Sequence, residues 1–478
     1  MFRYNFKYES IALLRSKWIQ ILIVILLLLF GFATYNGQQK TFKRQADIIE
    51  ANAEIADADR DMLKLLDSVE QGFQVSASSW TIPNAPMAVG NYHPRLASMP
   101  PSDLSFLATG QSDMFTHFVK PTASGDDLAL NFTEMTSPVQ LLFGSFDIAF
   151  VVIFLLPLLI IAFSYDVLSS ERESGSLRLL AAQPISLYKW LFQKLGLRFF
   201  WVAVIMTLSL TLVFLLNQVA IGSNFAAFMG FLAITLAYAL FWFALAFAVN
   251  LWVGSSGKNA VALLGLWVVF VLLIPAVLNQ LGGTLYPMPS RGLMINDMRA
   301  IKAEATQRQD EILDNYLRDH PEYAVNDTTQ KRSFWHRYMA SQQLVKKELE
   351  PILIRYERQL EKQQLLLNRF TWVSPAIVVQ GSLNQMAGNG NKSYKSYREQ
   401  VIAFAQEWRN HFLPMLYNNQ EFRSENYAQL PKFTFQRPTY QSQSSALFVV
   451  LCSALIVLGI GALRFRIYSK KEQSLVNQ

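Results

Sequence analysis

The sequence predicts an all-α integral membrane protein with six transmembrane helices and two large, mainly helical insertions on one side of the bilayer. Three observations carry this expectation. Hydrophobic residues make up 52% of the 478 positions and charged residues only 16%, whereas soluble domains average about 25% charged. The apolar residues gather into six runs near the roughly 20 residues that a spanning helix needs. Basic residues cluster beside alternate ends of those runs.

The first run is Ile19–Tyr35, and Arg3, Lys7, Arg15 and Lys17 precede it. Its core, ILIVILLLLFGF, is longer than a signal-peptide core, and TYNGQQKTF after it has no small-residue cleavage site. It therefore reads as an uncleaved anchor. The remaining runs are Phe146–Phe163, Phe199–Leu216, Phe225–Val253, Ala260–Leu278 and Ala446–Leu463. The fourth is long enough to tilt or to project beyond the bilayer. The expected organisation is an N-terminal segment with the first span (1–35), a first insertion (36–145), four spans (146–280), a second insertion (281–443), and the sixth span with a tail (444–478).

Arg172, Arg178, Lys189, Lys194 and Arg198 lie between the second and third runs, and Lys258 lies between the fourth and fifth. Arg464, Arg466, Lys470 and Lys471 follow the sixth. Alternating spans place all of these on the side of the N-terminal cluster, the cytosol by the positive-inside rule. The expected location is a bacterial inner membrane, with both termini cytosolic and both insertions periplasmic. The net charge of +7 is then a property of the cytosolic loops, and no nucleic-acid partner is expected. The one cysteine, Cys452, sits within an apolar run and excludes an intrachain disulfide.

The first insertion opens on a helical pattern in which Ile48, Ile55, Met62, Leu66 and Val69 share one face. The rest is rich in Pro, Ser and Asn and reads as packed loop. In the second insertion Ile295–Leu317 and Lys331–Phe370 read as long polar helices, with a seam at Leu344, Leu349, Leu353, Tyr356, Leu360 and Leu367. A coiled-coil-like hairpin and an ordinary helical domain both fit.

Enzyme signatures are missing. GSSGKN at 254–259 and GNGNKS at 388–393 lack the glycine spacing with which backbone amides cradle phosphate. His93, His117, His320, His336 and His411 show no zinc-ligand spacing. Asp147 and Asp166, at opposite ends of the second run, read as interfacial rather than as a buried ion pathway. The chain is expected to be no enzyme and to carry no cofactor or metal of its own.

The segment after the second run, YDVLSSERESGSLRLLAAQPISLYKW, holds the candidate functional residues. Ser170 with Glu173 forms a capping-box pattern, and Glu171 and Glu173 suit a helix N-terminus. Leu177, Leu179 and Leu180 give an apolar edge, Pro184 ends the helix, and Ser186 can cap the next one. The product is a short amphipathic helix at about 171–184, and a plain interfacial helix on lipid headgroups is the alternative.

Glu173, Gly175, Ser176, Leu177, Leu180, Pro184, Ile185, Ser186 and Lys194 reproduce a pattern that resembles the coupling region of ABC-2-type permeases. His93–Asp113, Ser137–Leu180 and Trp372–Gly388 also look like a subfamily with two large periplasmic insertions, the second described there only as a domain of unknown function. The stretch Ile295–Phe370 fits no pattern in it. The resemblance implies a permease subunit with ATPase-coupling residues Glu171, Glu173, Gly175, Ser176, Leu177, Leu180, Pro184 and Ser186. It implies as partners cytosolic ABC ATPase subunits, which carry the ATP and Mg, a second permease subunit, identical or sibling, and membrane lipids. The size of the insertions adds an expected periplasmic partner. Two other functions fit the same architecture. One is mechanotransmission, in which ATP hydrolysis moves the periplasmic domains without cargo. The other is a membrane-anchored sensor or interaction protein.

Overall fold

The computed structural model describes residues 8–11, 13, 15, 17–75, 78, 81–110, 112, 116–125, 145–177, 187–323, 332–438 and 444–476. Among these, six helices are long and apolar enough to cross a membrane: Ile19–Glu70, Ile148–Glu173, Tyr188–Leu216, Phe225–Trp252, Ser256–Leu285 and Ser444–Leu463. The fold is all-α, as the sequence predicts. The only strands among the described residues are two short ones, Ala97–Ser98 and Phe118–Val119, paired antiparallel. Because spans alternate, both chain ends fall on one side, here the terminal side, and both insertions on the other.

The fourth span is the hub. Its apolar window is 83% buried, against 17% for the fifth and the sixth. Tyr238, Phe241, Trp242 and Phe247 are enclosed almost completely, so this helix is surrounded by the others. A helix that is apolar all round is one that is buried all round.

Two spans carry prolines, and neighbouring helices answer the backbone they disturb. Pro157 follows a π-turn at Val151–Leu155, and Pro275 follows one at Val268–Leu273. A proline supplies no N–H, so carbonyls one turn earlier lose their partner. In hydrocarbon no water can replace it. Beside Pro157, the Tyr238 hydroxyl donates to the carbonyl of Ile153 at 3.2 Å and the Trp267 indole to that of Phe154 at 3.1 Å. Pro275 would reach Phe270 in the i to i−5 spacing of the π-turn, and Ser374 Oγ donates to the Phe270 carbonyl instead, at 2.7 Å.

Ser374 belongs to the second insertion, yet Phe270 lies midway along the fifth span. The helix that follows, Pro375–Met386, buries Ala376, Val379 and Leu383 in the same apolar core as the spans. The second insertion thus reaches back into the insertion-side half of the membrane.

The first span does not stop at the membrane. Lys17–Glu70 is one continuous helix of 54 residues, about 80 Å at 1.5 Å per residue. Ile48, Met62 and Leu66 are buried on its expected apolar face. Where it leaves the spans, Asn36 donates to the Phe146 carbonyl at 2.7 Å and Lys40 to Ser145 Oγ at 2.5 Å. At Gly37 the carbonyl of Phe106 comes so close that a Cβ would lie 2.2 Å from its oxygen. Asp147 stands at the end of the second span, as read from the sequence, and there it is buried and caps that span. It accepts from Phe150 N, Thr109 N and Thr109 Oγ1 at 2.8, 2.8 and 3.0 Å.

Beyond the membrane the two insertions share one core. Met62, Leu66, Met87, Val89, Met99 and Val119 from the first pack with Met298, Leu313, Met339, Trp408 and Phe412 from the second. Arg95 fixes them together. It pairs with Asp59 at 2.8 Å and lies against the rings of Trp408 and Tyr427, while the Tyr427 hydroxyl donates to Asp59 at 2.9 Å.

The long polar helices are present, with two differences from the sequence reading. The first breaks at Arg308 into Arg291–Gln307 and Gln309–Asp319. The second is Phe334–Phe370, started by a capping box between Ser333 and His336. Its seam holds at Leu344, Leu349, Leu353 and Tyr356, but Leu360 is exposed. From there the helix runs alongside the end of the fifth span, where Gln363 donates to the Tyr286 carbonyl at 2.6 Å.

Candidate functional site

On the terminal side the second span ends in a turn over residues 165–168 and then a short helix, Ser169–Glu173. A turn at membrane depth exposes backbone groups that need partners. Asn250, a lone amide in the apolar run of the fourth span, supplies them. Its Oδ1 accepts from Leu168 N at 3.1 Å, and its Nδ2 donates to the carbonyls of Ser164 and Ala246 at 2.9 and 2.8 Å. Asn259 of the fifth span donates to the Tyr165 carbonyl at 2.9 Å and to Ser169 Oγ at 3.2 Å.

The short helix is tied to the fifth span and to the third. Glu173 accepts from Ser256 N and Ser256 Oγ at 2.8 and 2.9 Å, and Ser256 Oγ also lies 2.9 Å from Ser169 Oγ. Arg172 donates to the Gly254 carbonyl at 3.2 Å. Glu171 takes Lys194 of the third helix at 3.0 Å and the Ser176 hydroxyl. Lys194 also meets Glu9 at 3.5 Å and sits 4.4 Å from the centre of the Trp190 ring. One five-residue helix therefore bonds directly to the third and fifth spans, and the turn before it bonds to the fourth.

This geometry differs from the sequence reading. Ser170 lies inside the helix rather than at its N-cap, and Glu173 reaches Ser256 instead of closing a capping box. Within the expected helix of 171–184, a first helical stretch ends at Glu173, Gly175 takes the left-handed conformation at φ +80°, and helix resumes at Ser176 and Leu177. The N–H groups of Ser174 and Gly175 close the end on Ser170 and Arg172, as glycine does after helices. Leu177 is half-buried against the apolar core of the spans rather than held out on a free edge. Leu180, Pro184 and Ser186 lie outside the described residues, and so does Ile185. The third helix starts at Leu187, directly after Ser186.

Sequence reasoning missed Asn250, Asn259 and Ser256. The signal was present: Asn250 interrupts AFAVNLW in the fourth run, and an amide in hydrocarbon needs a partner. Ser256 and Asn259 lie in GSSGKN, whose resemblance to a phosphate loop hides their structural role. Among the described residues, no group of His, Cys, Asp and Glu is arranged to hold a metal ion.

The fold defines a multi-pass, all-helical membrane protein with a large helical domain on one side. Residues 291–436 match the family model of a domain of unknown function, DUF3526. That match covers most of the second insertion and none of the six spans. No curated protein matches the chain.

Proposed function

We propose that the chain is the membrane-spanning permease subunit of an ABC-2-type ATP-driven system in a bacterial inner membrane. In this reading the terminal side is cytosolic. ATP and Mg are bound and hydrolysed by separate ATPase subunits, and the chain works with a second, identical or sibling permease. The observation that carries the reading is the bonding of Ser169–Glu173 to the third and fifth spans, and of the turn before it to the fourth. A push delivered at this helix would move the second, third, fourth and fifth spans together, because few rotatable loops intervene to absorb it.

The resemblance of the segment from Glu173 to Lys194 to permease coupling regions supports the same reading. Half-buried Leu177 then acts as an anchor of the segment, and the contact with an ATPase falls to the exposed Arg172–Gly175 stretch. A second reading, mechanotransmission, is favoured by the core that the two insertions share and by the unbroken helix joining it to the membrane.

The test is copurification of tagged full-length chain from its native host in mild detergent, with cysteines at Ser174 for crosslinking. The expected result is a cytosolic ATPase subunit in the eluate, joined through position 174. Absence of any ATPase from the eluate overturns the proposal. If the ATPase is present, vesicle transport separates the two readings: ATP hydrolysis without movement of any solute favours mechanotransmission.

A further inference from the structure

Between the first helix and the third span lies a crevice of about 210 Å³. It opens sideways at membrane depth, flanked by Leu27 and Leu212, which are 40% and 45% exposed. Its width comes from Gly31, where a Cβ would meet nothing within 4 Å. No charged side chain lines it.

The crevice is polar at two levels. At its mouth the Gln38 amide donates to Asn217 Oδ1. Eight residues down the third helix, about 12 Å deeper, lies Ser209. It is 1% exposed and its hydroxyl has no hydrogen-bond partner. A helical Ser or Thr in hydrocarbon ordinarily donates to the carbonyl one turn earlier. Thr34, Thr207 and Thr211 do so, to Phe30, Ala203 and Thr207. Leaving the Ser209 hydroxyl unanswered is unfavourable in this medium, so a ligand atom is the fitting partner.

We propose that the crevice is a binding site for one amphiphilic lipid of the surrounding leaflet. Its head group lies at Gln38 and Asn217, at the mouth. An ester carbonyl, about 12 Å deeper, accepts from Ser209, and the apolar body runs on along Phe30 and Leu27. The proposal rests on the membrane fold alone and stands apart from the assignment of an ATPase partner.

The test is native mass spectrometry of full-length chain taken into detergent from vesicles of phosphatidylethanolamine and phosphatidylglycerol. One lipid per chain should survive collisional activation. Gly31→Leu fills the open space and favours helix; it should lower the retained fraction at least about tenfold, since it removes the space for the apolar body. Gly265→Leu, on the fifth span, also places its Cβ in open space and should retain lipid as the parent does. Ser209→Ala should reduce retention about 2- to 10-fold, the scale of one hydrogen bond. Unchanged retention in Gly31→Leu, or in Ser209→Ala, overturns the proposal. Dissociation of a dimer by Gly31→Leu at constant lipid count also overturns it, and assigns the crevice to a second copy.

Discussion

Glu173 caps a helix to which it does not belong: its carboxylate accepts the Ser256 N–H at 2.8 Å and the Ser256 hydroxyl at 2.9 Å. The first turn of a helix has N–H groups without partners, and here the answer comes from the end of the second span. Glu173→Ala should therefore speed amide hydrogen exchange over residues 256–259 while leaving the middle of the fifth span protected. Unchanged exchange in that turn would show that the cap is dispensable.

Asn250 offers a harsher test. It serves Leu168, Ser164 and Ala246 at once, and a leucine in its place removes all three bonds. Asn250→Leu should destabilise the folded protein by about 2–3 kcal/mol, given roughly 1 kcal/mol for each lost buried bond. Thermal unfolding in detergent measures it, and a midpoint within a degree of the parent would contradict the assigned role.

Ser374→Ala removes the hydroxyl that donates to the Phe270 carbonyl. The expected loss is about 1 kcal/mol. It should be localised, with faster exchange around the π-turn at Val268–Leu273 and at the start of the helix Pro375–Met386. If exchange changes only in the domain beyond the membrane, the link between the insertion and the fifth span has been misjudged.

Gly37→Ala places a methyl group 2.2 Å from the Phe106 oxygen, which is backbone and cannot rotate away. The helix or the loop at 104–108 must shift. Overpacking of this kind costs about 1–3 kcal/mol, more than the few tenths that alanine gains by helix propensity. A stabilised variant in equilibrium unfolding would show that the contact is looser than the structure has it.

His117 makes the domain beyond the membrane sensitive to acid. Burial, and then the Arg44 guanidinium, push its imidazole down to about 3, from 6.5 for an unperturbed histidine. The unfolded chain then binds a proton that the folded chain refuses. Stability is full above about pH 6.5 and is lost progressively as pH falls toward 3. His93, His336 and His411 are lowered by burial in the same direction. The urea midpoint should fall between pH 7.5 and pH 5, and His117→Gln should flatten part of that slope. A pH-independent midpoint would refute the assignment.

The spans were legible because hydrocarbon imposes a simple rule: about 20 apolar residues per crossing. The face of Ile48, Met62 and Leu66 was legible for a similar reason, since a helix buried on one side must repeat its apolar residues. What the sequence hid was pairing. Nothing in SSERESG says whether Glu173 folds back on its own helix or reaches forward to Ser256, because both offer a free N–H. The union of the insertions was hidden likewise: Arg95 and Asp59 are close in the chain, but their partners Trp408 and Tyr427 lie more than 300 residues away. The return of Pro375–Met386 into the membrane escaped notice because 12 residues are too few to announce a span.

The unbroken helix Lys17–Glu70 has a mechanical consequence. Measured from the middle of its membrane part to Glu70, it is an arm of roughly 65 Å at 1.5 Å per residue. A tilt of only about 5° in the bilayer sweeps the far end through roughly 6 Å, the length of a whole helical turn. Glu70 accepts from Ser424 there, so the sweep is delivered to the far side of the second insertion. Small changes of angle among the spans leave the membrane as displacements large enough for another molecule to read.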